Sequence, residues 1–218
     1  MLPKRALSHR LILAFMCSMC LGNPESGGQG TGNFDGSLDL IKVLNTTEDS
    51  WVYWQTYSNA YRVMLAKKNT TILATCIRHH KVHITADQYN FTVYEQLNNT
   101  EVEDNRTGRF IYPKNGTTKV PISMTVHEAD DEPDYMVTLV YSDPDFQHCN
   151  VYSISYLEPN LQDDFPTCEM HIRESRVHDG PTTGCRTFYE QECNRTEYQP
   201  YSEKCNSTDV PSNNLLTT

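Results

Sequence analysis

Eight cysteines constrain this 218-residue chain more than any other feature. Two of them fall in an apolar run near the N-terminus. The other six crowd toward the C-terminal half and are Cys76, Cys149, Cys168, Cys185, Cys193 and Cys205. An even set of this kind in an exported chain predicts a framework of three disulfides, for which fifteen connectivities are possible. Such bonds survive outside the cell, so we expect a secreted, extracellular protein.

The N-terminus has the pattern of a signal peptide. Three basic residues precede an apolar run over 11–21, which ends at the small residue Gly22. This run is too short for a membrane helix, which needs about 18–20 apolar residues, and no later segment has such a run. A buried first helix is the alternative, but the basic residues that precede the apolar run argue against it. We therefore predict a signal peptide over 1–22 and a soluble protein after its removal.

Eight sequons of the type Asn-x-Ser/Thr predict a heavily glycosylated surface. They are Asn45, Asn69, Asn90, Asn98, Asn105, Asn115, Asn194 and Asn206. This density is untypical of a cytosolic enzyme. Because a glycan cannot be buried, we expect these asparagines on exposed loops and edges.

The negative net charge of the chain indicates which classes of partner are unfavourable. The formal net charge is −10, and it becomes −13 without residues 1–22, which contain three basic and no acidic residues. This acidity disfavours nucleic acids and anionic membranes as partners, because both attract basic surfaces. It permits a cationic partner, although an acidic surface most often serves solubility alone. Fewer than 200 residues remain, which suits one domain.

Strand signals dominate the middle of the chain. The predicted strands cover 51–57, 61–66, 71–78, 89–94, 109–112, 120–127, 135–141, 150–156 and 168–173. Short strands at this spacing favour an antiparallel barrel or a sandwich. An eight-stranded barrel is just wide enough to hold one small ligand. The strand aromatics could line such a cavity or fill the core.

Two helices are predicted at the ends of this strand-rich region. Residues 38–44 have the apolar spacing of a short amphipathic helix. Residues 181–193 have helical spacing that places four residues on one face, namely Cys185, Phe188, Tyr189 and Cys193. We therefore divide the chain into the signal peptide, a Gly/Ser-rich flexible leader over 23–36, one domain over 37–205 and a disordered tail over 206–218.

The chain resembles the tick salivary lipocalins, the histamine-binding protein family. The resemblance rests on a Leu-x-x-Ile-x-Val-Leu helix before Trp-Val-Tyr-Trp-Gln-Thr-Tyr over 51–57, and on the cysteine-containing segments that follow. It implies a mainly β fold, an eight-stranded antiparallel lipocalin-type barrel with a short N-terminal helix, a C-terminal helix and disulfide staples. It also implies a pairing, namely Cys76–Cys205, Cys149–Cys185 and Cys168–Cys193.

The resemblance further implies candidate ligand-binding residues. Amine-binding members carry Cys-Asp-(Val/Ile/Leu), Glu-Leu-(Trp/Tyr) and a later Cys, whereas this chain has Cys-Asn-Val at 149–151 and Glu-Met-His at 169–171. Glu169 could supply the carboxylate that an ammonium needs. Asn150 offers only an amide dipole, and His171 replaces an aromatic ring. Trp54 and Tyr57 complete the predicted amine site.

Arg62 raises a different possibility for the ligand. No acidic residue occurs from 58 to 75, where Arg62 is accompanied by two lysines. If Arg62 points inward, the cavity would suit a carboxylate-bearing lipid such as an eicosanoid or fatty acid. If it points outward, it belongs to a solvated face.

These observations predict a monomeric salivary protein that sequesters a small host mediator during blood feeding and so suppresses inflammatory and haemostatic defence. A biogenic amine, histamine or serotonin, is the first candidate, and an eicosanoid is the alternative. A protein-binding inhibitor of complement or coagulation, directed at a host plasma protein, is a third hypothesis of a different class.

No enzyme is expected, because the chain lacks a Gly-x-Ser-x-Gly sequence, a phosphate loop and a Cys-His catalytic signature. No cofactor is expected either. His79, His80 and His83 form the one metal-like cluster in the sequence. Alternation on a strand places His79 and His83 on one face and His80 on the other. With no acidic or cysteine partner evident, we predict no metal site.

Overall fold

The computed structural model describes residues 37–65, 68–114, 119–127, 133–157, 167–193 and 197–206. The predicted signal peptide and leader, most of the predicted tail, and the sequons at Asn115 and Asn194 lie outside these ranges. The described strands are β1 (Ser50–Gln55), β2 (Ala60–Leu65), β3 (Lys68–Ile84), β4 (Gln88–Leu97), β5 (Thr100–Ile111), β6 (Ser123–His127), β7 (Tyr135–Ser142), β8 (Cys149–Tyr156) and β9 (Thr167–Arg173). The described α-helices are α1 (Leu40–Leu44) and α2 (Thr183–Glu192).

Eight of the strands form a closed antiparallel barrel. Strands β3 to β9 pair with their neighbours in chain order, and β1 pairs with both β9 and β3, which closes the ring. Strand β2 pairs with the first part of β3 alone and lies outside the ring. This confirms the eight-stranded, lipocalin-type barrel predicted from the sequence.

The barrel interior is filled by alternate residues of its strands. Tyr89, Phe91 and Val93 of β4 are buried on one face, as period-two alternation predicts. Val126 and Leu139, from β6 and β7, are fully buried in the same cluster. The core therefore lies inside the ring.

Helix α1 closes one end of the barrel. Asp39 caps the helix by accepting a hydrogen bond of 3.0 Å from the Lys42 backbone amide. Leu40 and Val43 are buried in the interior cluster. The guanidinium group of Arg173, at the end of β9, donates to the Val43 carbonyl oxygen and holds the helix to the wall.

Helix α2 packs on the outside of the barrel, as the sequence predicts. Thr182 caps it, and the face with Cys185, Phe188, Tyr189 and Cys193 is buried. Two disulfides join this helix to the wall, Cys149–Cys185 to β8 and Cys168–Cys193 to β9. The third, Cys76–Cys205, joins the C-terminal segment to β3. The predicted pairing is confirmed.

The hairpins of β3, β4 and β5 are longer than predicted. Strand β3 runs on to Ile84, and β5 begins at Thr100, although no strand was predicted over 100–108. This part of β5 pairs with β4 in unbroken register but is mostly exposed. Because solvent covers most of this part, its residues are mostly polar and show no alternation of apolar side chains. The strand could therefore not be predicted from hydrophobic periodicity.

A β-bulge in β3 places His83 on a different face from the one predicted. The register of β3 against β4 shifts between Lys81 and His83. His83 is exposed, whereas Ile84 packs against the interior cluster. Since a bulge inserts one residue, His83 does not share the inward face of His79.

The described sequons lie where a glycan can be attached. Asn45, Asn69, Asn98 and Asn105 are exposed, and Asn90 is half-buried on the outward side of β4. For Asn206 the structure describes the backbone only. Within the described ranges, neither α-helix has the length and apolar character to cross a bilayer.

Candidate functional site

The barrel contains two cavities that meet near its middle. The inner cavity, next to α1, has a volume of about 50 Å³, and its wall includes His79, Phe91 and His171. The mouth cavity, at the opposite end, has a volume of about 460 Å³. The two share four lining residues, which are Arg106, Tyr135, Ile154 and Glu169. Glu169 and Arg106 therefore lie at the junction, where a small molecule that has entered the mouth cavity would reach the inner one.

Glu169 and His171 face the interior because they are alternate residues of β9. The His171 Nε2 and Glu169 Oε2 atoms lie 2.8 Å apart. The other carboxylate oxygen of Glu169 accepts a hydrogen bond from the Tyr57 hydroxyl group, which comes from the segment after β1. The Glu169 side chain is 12% exposed. Two neighbours from two elements thus fix the carboxylate.

The environment of Glu169 keeps its carboxyl group ionised. Burial by itself raises the pKa of Glu169, but the hydrogen bond with His171, together with the nearby His79 and Tyr57, lowers it to about 2. Burial and the nearby Glu169 raise the pKa of Tyr57, so its hydroxyl remains a donor. The site presents a negative charge held by one imidazole and one phenol, those of His171 and Tyr57.

His79 lies across β1 from His171. Its ring centroid is 4.8 Å from that of His171 and 5.3 Å from that of Phe91. Burial, with the neighbouring His171, lowers the pKa of His79 to about 3. The imidazole is therefore neutral at physiological pH and can accept a hydrogen bond or bind a cation.

Arg106 is a cation at the junction of the two cavities that sequence reasoning missed. It lies on β5, lines both cavities, and donates hydrogen bonds of 2.7 Å to the Tyr135 hydroxyl and to Asp104. One signal could have found it. Arg106 precedes the partly buried Phe110 by four residues, so both occupy the same face of a strand. The strand predicted over 109–112 began too late to include Arg106.

Three of the six predicted ligand-binding residues line the cavities, namely Glu169, His171 and Tyr57. Asn150 of β8 lies opposite His171 of β9 but lines neither cavity; it is buried, and its side-chain oxygen accepts a hydrogen bond of 2.6 Å from Ser142. Arg62 is exposed on β2 and lines neither cavity. The described arginines that line the cavities are Arg106 and Arg173, and Arg62 is not among them.

Trp54 lies in the layer between the barrel wall and α2. Its ring is 5.7 Å from the Tyr189 ring, and the Arg186 guanidinium lies 5.1 Å from it. Trp54 belongs to the outer cluster and lines neither cavity. The register shift between Val52 and Trp54 in β1 turns the Trp54 side chain away from the interior that Val52 faces.

Comparison with known proteins finds similarity in structure and none in sequence. No family model matches the chain, and no curated protein does. One similar solved structure is the tick lipocalin Japanin from Rhipicephalus appendiculatus bound to cholesterol, with a TM-score of 0.46 and 15% identity, covering 74% of this chain and 97% of that chain. The eight-stranded antiparallel barrel described above is the fold that the resemblance in sequence implied.

Two further structures show similarity of the same order. The siderocalin Ex-FABP has a TM-score of 0.43 and 12% identity, covering 69% of this chain and 83% of that chain. Lobster apocrustacyanin A1 has a TM-score of 0.38 and 8% identity, covering 78% of this chain and 81% of that chain. Similarity at this level gives no information on which ligand this chain binds.

Proposed function

We propose that this protein is a secreted carrier that sequesters a small host amine, of the histamine or serotonin class, inside its barrel without transforming it. The observation that carries the proposal is the carboxylate of Glu169, which Tyr57 and His171 hold at the junction of the two cavities. Among the described residues, its basic partner is His171, at 2.8 Å, and neither a lysine nor an arginine forms an ion pair with it.

The negative charge of Glu169 favours a cationic ligand at the junction of the two cavities. A buried carboxylate is stabilised when a cation replaces the water it has lost, and an ammonium group needs the same compensation. Tyr57 and Tyr61 both line the mouth cavity near Glu169, and aromatic faces attract an ammonium group further. Glu95 contributes a second carboxylate to the mouth.

The size of the mouth cavity agrees with this ligand class. Small-molecule sites typically enclose roughly 300–1,000 Å³. The volume of about 460 Å³ lies in the lower part of that range and suits a compact ligand. Binding of this kind lowers the free concentration of a mediator and needs no catalytic group. Three disulfides are typical of proteins that work outside the cell.

Arg106 favours a second candidate, a carboxylate-bearing lipid of the eicosanoid class. Its guanidinium group lines both cavities, and apolar residues such as Met124, Val137 and Ile154 continue the wall inward. A lipid carboxylate could pair with Arg106 while the chain occupies the apolar region. The ion pair with Asp104 already compensates part of that charge, which is why we place the amine first.

Calorimetric titration of the secreted, glycosylated protein would test these alternatives. Histamine and serotonin come first, followed by leukotriene and thromboxane analogues. We expect Glu169→Gln to weaken amine binding about tenfold or more, the scale of a charge-assisted hydrogen bond. Glu190→Gln, which removes the same charge from an exposed position on α2, is the matched control.

The alternatives predict different patterns. Lipid binding that Arg106→Met abolishes and Glu169→Gln does not would replace the amine by the eicosanoid. Wild-type protein that binds none of these molecules would contradict both and would leave the protein-directed inhibitor of complement or coagulation.

A further inference from the structure

Two imidazoles and one carboxylate converge on the barrel interior from strands far apart in the sequence. His79, Glu169 and His171 each offer one ligand atom, and these atoms all lie within 4.8 Å of one another. Such a set of two histidines and one carboxylate is used by proteins to hold Zn²⁺ and non-haem iron. The sequence pattern around His79 contained no acidic partner, because β9 supplies it.

His79 is available as a ligand. Its recorded contacts are ring contacts with Phe91 and His171, and within the described ranges neither of its nitrogens forms a hydrogen bond. Glu169 is oriented by the hydrogen bond from Tyr57. Partners that orient a ligating carboxylate in this way are typical of metal sites.

We propose that His79, Glu169 and His171 form a binding site for a divalent first-row transition-metal ion, with Zn²⁺ as the best match. Zinc accepts two histidines and a carboxylate and leaves a fourth position open. Magnesium and calcium are not expected, since they select sites made of oxygen ligands.

The geometry requires a modest adjustment. Bonds of about 2.1 Å place the ligand atoms of a tetrahedral ion about 3.4 Å apart. The pair formed by Glu169 and His171 is already closer than this, at 2.8 Å. It would open slightly as the metal ion displaces the proton of this hydrogen bond from Nε2, which would be released or carried on Nδ1. Because the ligand atoms lie within 4.8 Å of one another, the His79 nitrogen would have to approach by up to about 1.4 Å.

The site would lie between the two cavities. Glu169 lines both of them, whereas His79 and His171 line the inner cavity. The metal proposal does not rest on the amine proposal, but the two share Glu169. A metal ion and an amine are therefore expected to compete for the same carboxylate.

The test uses tag-free, glycosylated, metal-stripped protein. Titration with Zn²⁺ by calorimetry and with Co²⁺ by visible absorption should each show one equivalent, and Co²⁺ should give the intense bands of a low-coordinate site. We expect His79→Gln and His171→Gln to weaken binding at least tenfold. The control His83→Gln alters an exposed histidine of the same strand and should change nothing.

Folding of each variant is checked by near-ultraviolet circular dichroism, and Zn²⁺ should raise the thermal midpoint of the wild-type protein but not that of His79→Gln. Absence of stoichiometric binding to the wild type, or binding that His79→Gln leaves intact, would overturn the proposal. Metal binding without amine binding would contradict the proposed function alone, and the reverse would contradict the metal site alone.

Discussion

Glu169 owes its importance to its neighbours. A lone carboxylate in a protein interior tends to take up a proton, because burial disfavours its charge. Here His171 and Tyr57 donate to both of its oxygens and reverse that tendency. The result is a charge that remains in the cavity and attracts cations. The two ligand proposals are two consequences of this one arrangement.

Asn150 provides a residue-scale prediction that differs from the one drawn from the sequence. Restoring aspartate there would match the amine-binding pattern, yet Asn150 lines neither cavity and lies buried against Ser142. Asn150→Asp should leave amine affinity unchanged and destabilise the protein by about 2 kcal/mol, since it places a carboxyl group in a buried position. Calorimetry and urea unfolding measure the two effects. A clear gain in amine affinity would contradict the placement of Asn150.

Trp54 gives a second prediction at this scale. It packs against Tyr189 and Arg186 in the outer cluster. Trp54→Ala should cost about 3–5 kcal/mol of stability, as for other large core truncations, without reducing ligand affinity at temperatures where the protein is folded. Tyr57→Ala, which removes a side chain from the mouth cavity, is the contrasting variant for affinity. Lost affinity in Trp54→Ala alone would place the tryptophan in the site.

At the scale of elements, the two helices have different tasks. Helix α1 seals the inner end of the cavity, and its apolar side chains complete the interior cluster. Helix α2 covers the outer wall beside β8 and β9, where two disulfides hold it. The strand that bears Glu169 and His171 is therefore supported from outside by α2 and at its end by α1.

Helix α1 is too short to be stable alone and depends on burial. Leu40 is fully buried, whereas Lys42 in the same turn is exposed. Leu40→Ala should lower the free energy of unfolding by about 2–5 kcal/mol, and Lys42→Ala should change it by less than about 0.5 kcal/mol. Urea unfolding followed by tryptophan fluorescence measures both. Equal effects of the two substitutions would mean that the helix does not depend on its buried face.

At the scale of the whole molecule, the disulfides connect distant parts of the chain. Cys76–Cys205 closes a loop of 129 residues, whereas Cys168–Cys193 closes one of 25 residues. A longer loop restricts the unfolded chain more, so its closure stabilises the folded state more.

This difference gives a prediction for paired cysteine variants. Replacing Cys76 and Cys205 together by alanine should cost about 5 kcal/mol, and replacing Cys168 and Cys193 together should cost about 3.5 kcal/mol. Thermal and urea unfolding under non-reducing conditions compare the two. A larger loss for the shorter loop would show that packing under α2 outweighs the loop entropy.

Much of the architecture could be predicted from the sequence because it depends on local patterns. The alternation of apolar residues in β4 predicted its inward face, and the helical spacing of apolar residues and cysteines in α2 predicted its buried face. The disulfide pairing came from resemblance, since counting cysteines left fifteen possibilities. Segments without apolar alternation, such as the first part of β5, were missed because solvent covers most of their side chains.

The sequence by itself determined that the chain carries an export signal pattern, short strands and paired cysteines, because composition and periodicity are properties of neighbouring residues. Only the tertiary structure decided which polar side chains meet inside the barrel. Closure through β1 brings His79 beside Glu169 and His171, and register shifts turn Trp54 and His83 away. A shift of one residue reverses the facing of a strand, and no local pattern records which strands will be neighbours.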